Sequence, residues 1–165
     1  MLFLYSVVLI KNTENAMNKK FTKTDRDAIS NILGMPYQKM DSSWAWKLIN
    51  SETKQTLVFS VFNDVNLSDE HNAISIISVQ NNQGYFELHN CTDYLLFEPD
   101  EVIFINANTN NISSLTIGKA ATVSMFSNIN RELLKKDLTE LEAPLLLSAM
   151  QLSLADTMLD LSINL

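Results

Sequence analysis

The chain is predicted to be α+β: a curved antiparallel β-meander or partly open barrel of about six to eight strands, with one short N-terminal helix and two C-terminal helices packed on it. Three observations predict this. Between Trp44 and Phe126 the apolar residues recur with a period of two, as side chains on alternate faces of a strand do. Before and after that stretch the period is helical. The segments joining the strand-like runs are short, whereas parallel crossovers need about a dozen residues or more each.

The first apolar run is Leu2–Ile10. A secretory leader places positive charge before such a run and small residues after it. Here the first side-chain cation is Lys11, behind the run, and Asn12 to Asn18 is polar. The run is also half the length of a membrane span, which takes about 20 apolar residues. Residues 1–16 are therefore read as an extension upstream of a start at Met17, or as a loosely attached edge strand. Residues 17–165 are read as a single α+β domain.

FTKTDRDAISNILGMP carries the first helix. Thr24 and Asp27 have the spacing of a capping box, Ile29, Ile32 and Leu33 form the apolar stripe, and Gly34 with Pro36 supplies the stop. The runs SWAWKLIN, QTLVFSVF, AISIISVQ, YFELHNC, DYLLFE, EVIFINA, SSLTIG and ATVSMF follow as strands. QTLVFSVF and EVIFINA are apolar on both faces and are predicted to be central. With only 3 Gly and 3 Pro in the chain, Asn has to make many of the turns. After Ser127, Asn128 or Asn130 is placed to cap a helix bearing Leu133, Leu134, Leu138 and Leu141, and Pro144 to open a second.

Charge narrows the function. A net charge of −7 argues against nucleic acid, because phosphate contacts need clustered Lys and Arg. The densest basic groups are only Lys19-Lys20 and Lys135-Lys136. An acidic surface is also repelled by anionic membranes, so no membrane partner is expected. One cysteine, Cys91, permits no internal disulfide and points to a cytoplasmic protein. Gly118-Lys119 lacks the remaining residues of a phosphate loop, and no cofactor is expected.

YFELHNCTDYL sets Glu87, His89, Cys91 and Asp93 at every second position, hence on one face of a regular strand. Thiolate, imidazole and carboxylate could serve a metal or a Cys–His nucleophile. Glu87 to Asp93 spans roughly 20 Å, however, so the four cannot share one ion. If AISIISVQ pairs with this strand, with Gln80 opposite Tyr85, then His89 faces Ile76 and Cys91 faces Ile74, which are not ligands. No metal is expected, and Cys91 reads first as a small buried residue beside isoleucines. Asp64, Asp69, Glu70 and His71, on the long Asn63–Asn72 loop, read as a solvated acidic cluster.

Trp44 and Trp46 share a strand face. Buried, they anchor the core against Leu57, Phe59 and Val61; exposed, they could stack a sugar or another planar ligand. In the last segment Leu147, Met150, Leu154, Met158 and Leu161 make one stripe, and Leu145, Leu152, Ala155 and Leu159 a second. Such a helix is either central, covered by the sheet and a neighbouring element, or a seam in which the first stripe forms an interface, as in a homodimer.

The leading functional expectation is a non-enzymatic binding or accessory protein. It would act through a protein contact, with another chain or with itself as a homodimer, or by holding a small apolar ligand in a pocket. The alternative is an enzyme using Cys91 with His89 as base and Asp93 or Glu87 as an orienting group.

Overall fold

The two-residue alternation does become antiparallel β-structure, but in two sheets instead of one. In this computed structural model residues 7–9, 19–68 and 72–163 are described, with side chains placed from residue 19 onward except those of 144 and 160–163. The strands are β1 (Val7–Leu9), β2 (Gln38–Lys39), β3 (Ser43–Ile49), β4 (Thr56–Val65), β5 (Ile74–Asn81), β6 (Tyr85–His89), β7 (Asp93–Phe97), β8 (Glu101–Ala107), β9 (Asn111–Gly118) and β10 (Thr122–Asn130). Sheet one has the order β1-β7-β8-β9-β10 and sheet two the order β2-β3-β4-β5-β6. Each is a meander of consecutive strands, and β1 adds to the free edge of β7. The eight runs predicted from sequence are β3 to β10 in order. Of residues 1–16, only Val7–Leu9 falls within the described residues. Met17, the proposed alternative start, and Asp69–His71 of the predicted acidic cluster also lie outside them.

The break between the sheets occurs at one residue. Asn90 takes a left-handed conformation (φ 54°), which Asn tolerates better than other non-Gly residues. The chain then turns out of sheet two, with Cys91 N–H donating to Ser75 O (3.2 Å) and Thr92 N–H to Ile105 O (2.7 Å) in sheet one. Alternation is a local property that carries no information about which strand a given strand will pair with, so a corner of this kind does not show in the pattern.

The sheets face each other across one core. Sheet two contributes Trp46, Leu48, Phe59 and Ile77 among others, and sheet one Tyr94, Val102, Phe104 and Leu115. Helix α1 (Lys23–Leu33) closes onto that core through Ile29 and Leu33. Its cap lies two residues earlier than the predicted Thr24/Asp27: Thr22 and Asp25 form the capping box. Asp27 instead pairs with Lys23 on the surface (2.6 Å). Gly34 ends the helix at φ 64°, the left-handed position where a side chain would be strained.

As predicted, β4 and β8 are the middle strands of their sheets. Only β8 is covered on both faces. Its Ile103 and Ile105 belong to a second core with Leu95, Phe97 and Ile112, closed by Leu152, Ala155 and Leu159 of helix α2 (Ala143–Ile163). On β4, Val58 faces outward and is exposed. The layers are sheet two, sheet one and α2.

Asparagine makes the turns as predicted. The Asn81 side chain accepts from the backbone N–H of Gln83 and Gly84 (2.8 and 2.9 Å), and Asn108 does the same for Asn110 and Asn111 (3.0 and 2.8 Å). The first of the two predicted C-terminal helices shrinks to a five-residue 3-10 helix, Arg131–Lys135, capped by Asn130. Beyond its cap at Lys136, the Asp137 carboxylate takes the N–H and hydroxyl of Thr139 (2.9 and 2.7 Å), a local turn where the predicted helix would have continued. Among the described residues, no helix is long and apolar enough to cross a membrane.

Candidate functional site

The strand-face constellation divides at Asn90. Up to His89 the pairing is the predicted one, with Gln80 opposite Tyr85, Val79 opposite Phe86, Ile77 opposite Leu88 and Ile76 opposite His89. Glu87 and His89 therefore point to solvent, where His89 Nε2 meets Glu87 Oε2 at 2.6 Å and Tyr85 O–H donates to Glu87 Oε1. Past the left-handed Asn90 the alternation inverts, and the predicted facing of Cys91 by Ile74 is not made. Cys91 is fully buried in the core between the sheets, its S–H donating to Asp93 O (3.2 Å). Burial pushes its thiol up to about 12. The imidazole is in water and the sulfur is sealed inside. Among the described residues, no three or more His, Cys, Asp and Glu side chains are placed to share a metal ion.

A prediction follows from that burial. At pH 8 Cys91 is a neutral thiol without solvent access, so a maleimide or disulfide reagent is expected to leave the folded chain unmodified and to label one thiol once denaturant is added. Rapid labelling of the folded chain would show that the thiol is reachable.

The tryptophans divide as well. Trp46 is buried, stacked on Phe59 with ring centroids 4.7 Å apart and planes 2° apart, and its indole N–H donates to Ser30 Oγ (2.9 Å). Trp44 is half-buried under the Arg26 guanidinium, 4.0 Å from the ring centroid. The strand register sets Trp44, Trp46 and Leu48 against Val61, Phe59 and Leu57, the core partners predicted for them.

One polar cluster was only partly legible in the sequence. Lys19 is 2% exposed, and its ammonium lies 3.1 Å from Asp25 Oδ2. Tyr94 O–H donates to the same carboxylate (2.8 Å), as do the N–H and hydroxyl of Thr22 (2.7 and 2.9 Å). Burial raises the Asp25 carboxyl, but the bonds from Thr22 and Tyr94 and the charge of Lys19 outweigh it and hold it below its ordinary value. The Thr22-x-x-Asp25 spacing was available as a capping signal. Nothing in Lys19-Lys20 marks which lysine turns inward.

An open groove of about 480 Å³ lies between α1 and the end of β7, lined by Ala28, Ile32, Leu96 and Pro99 with Asn31 and Glu98 at its polar side.

No protein-family model, curated protein or solved structure matches this chain.

Helix α2 then carries the most informative surface. It is held on sheet one by Ala149, Leu152, Ala155 and Leu159, and by Asp156, whose carboxylate meets Arg131 Nε at 2.5 Å with both groups largely buried. The covered part begins at Ala149, so Leu145 in the first turn is exposed with the outer face. On that outer face Leu147, Met150 and Leu154 are exposed at 54, 55 and 42%. Met158, one turn on, is half-buried, and the side chain of Leu161 lies outside the described residues. Of the two predicted stripes, the sheet takes the second from Leu152 onward, and of the first it leaves Leu147, Met150 and Leu154 open.

Proposed function

We propose that this is a non-enzymatic binding or accessory protein of the cytoplasm. It works through a protein contact made by the outer ridge of α2, centred on Leu147, Met150 and Leu154. The observation that carries the reading is the ridge itself. A surface helix on a globular domain normally presents charged and polar residues to water, and one that is apolar all round calls for cover on both sides. In α2 the sheet provides one side only, leaving three large apolar side chains in line on the other. Contiguous exposed patches of this kind on a single chain mark partner surfaces.

Two other readings have less support. An enzyme built on Cys91 and His89 needs its base at the sulfur, and those groups lie in different environments. The groove beside α1 would leave a small apolar ligand partly in water, next to Glu98.

A photo-crosslinking side chain at position 150, introduced into the full chain in cells, is expected to give discrete protein adducts. The same group at position 47, exposed on β3, is expected to give none. Equal or absent adducts at the two positions would overturn the reading.

A further inference from the structure

We infer that the partner on this ridge is a second copy of the chain, with the two α2 helices antiparallel and crossing at Leu154 on a two-fold axis. This rests on the reading of the ridge as a protein contact and adds the identity of the partner and the geometry of the pairing.

The order of residues along the ridge carries the inference. Leu147, Met150, Leu154, Met158 and Leu161 are separated by three, four, four and three positions, and the residue types read the same in either direction. A two-fold contact is self-complementary, so that if residue i meets j, then j meets i. Reversal about Leu154 brings Leu154 to its own copy, Met150 to position 158 and Leu147 to position 161. Like therefore meets like in size at every layer. A parallel pair repeats its layers by translation every seven residues, which would require an apolar residue at 157, where an exposed Thr stands.

Charge weakens such a pair without barring it. The chain carries −7, which opposes self-association, so a contact between copies has to be made where the surface is uncharged. The only charged residues of α2 are Asp156 and Asp160, neither in the ridge, and Asp156 is engaged by Arg131 against sheet one. A cationic peptide would find no complementary charge along the ridge, whereas a second copy brings neutral apolar surface to neutral apolar surface. A ridge of this length would bury roughly 1,000 Å² in total, in the range of weak or transient interfaces, so the expected dimer is a reversible one.

Sedimentation equilibrium of the full chain across about 1 to 500 μM is expected to show a monomer–dimer equilibrium, with Leu154→Glu weakening it at least about 30-fold at an unchanged melting temperature. Should the glutamate variant fold poorly, Leu154→Ala reads the same contact. Orientation is read from mild oxidation of single-cysteine additions, with the buried Cys91 left in place. Leu154→Cys, on the axis, is expected to form a covalent dimer, and Leu147→Cys, which faces position 161, is not. Equal cross-linking of the two variants overturns the antiparallel geometry, and a dimer indifferent to Leu154 overturns the contact. A chain that stays monomeric while position 150 still gives adducts in cells overturns self-pairing alone and leaves the ridge as a surface for a different protein.

Discussion

Asp25→Ala is expected to lower the unfolding free energy by about 3–5 kcal/mol, the usual cost of removing one partner from a buried ion pair. Whole domains of this kind are stable by only about 5–15 kcal/mol, so the variant sits close to unfolding at ambient temperature. The carboxylate takes three kinds of donor at once: the Lys19 ammonium, the Tyr94 hydroxyl and the Thr22 cap. Without it an ammonium that is 2% exposed loses its counter-charge, and α1 loses half of its capping box. Lys19→Met is expected to cost less, because Asp25 keeps its neutral donors. The double variant should fall well short of the sum of the two, and urea denaturation of the four proteins checks this.

The same group sets part of the acid limb. Its folded pKa lies below the unfolded one, so its stabilisation is present above the ordinary carboxylate range and disappears as pH falls through the folded value. Asp25→Asn should be less stable at neutral pH and show a flatter loss of stability toward acid. An acid limb as steep as that of the unsubstituted chain would assign the loss to other carboxyls.

Trp46→Ala is the second large effect, expected at about 3–5 kcal/mol. The indole fills the space between sheet two and α1, lying flat on Phe59 and tilted against Tyr37 at 5.5 Å. Its N–H holds Ser30 of the helix, so the substitution opens a cavity and also leaves a hydroxyl without its donor. Trp44→Ala is the internal control. That ring is packed against the core without being sealed in it, so the substitution should cost clearly less than Trp46→Ala, the Arg26 stack contributing about 0.5–1 kcal/mol of the loss. If the two tryptophan variants melted alike, the core assignment of Trp46 would fail.

Much of the fold was legible because it depends on neighbours in sequence. The eight central strands, their Asn turns, the β5–β6 register and the Gly34 stop all follow from side-chain period and turn chemistry over a few residues. The candidate site was half legible. Both stripes of α2 can be read from spacing alone, but which one meets the sheet depends on where sheet one and Arg131 lie, with Leu152, Ala155 and Leu159 in the second core and Asp156 paired to that arginine. Asn90 shows the same limit. One left-handed residue sent His89 to water and Cys91 into the core, although the two share a strand face in any regular reading.

From its sequence alone this chain is an acidic α+β protein with a β-rich middle and a C-terminal helix carrying more apolar surface than one sheet can cover. Only the tertiary structure decided that the middle splits into two facing sheets, that one lysine of an adjacent pair is buried, and which leucines are left facing water. Period and turn chemistry act across a few residues and so are written locally. Burial is settled by what arrives from elsewhere in the chain, and no local pattern carries that information.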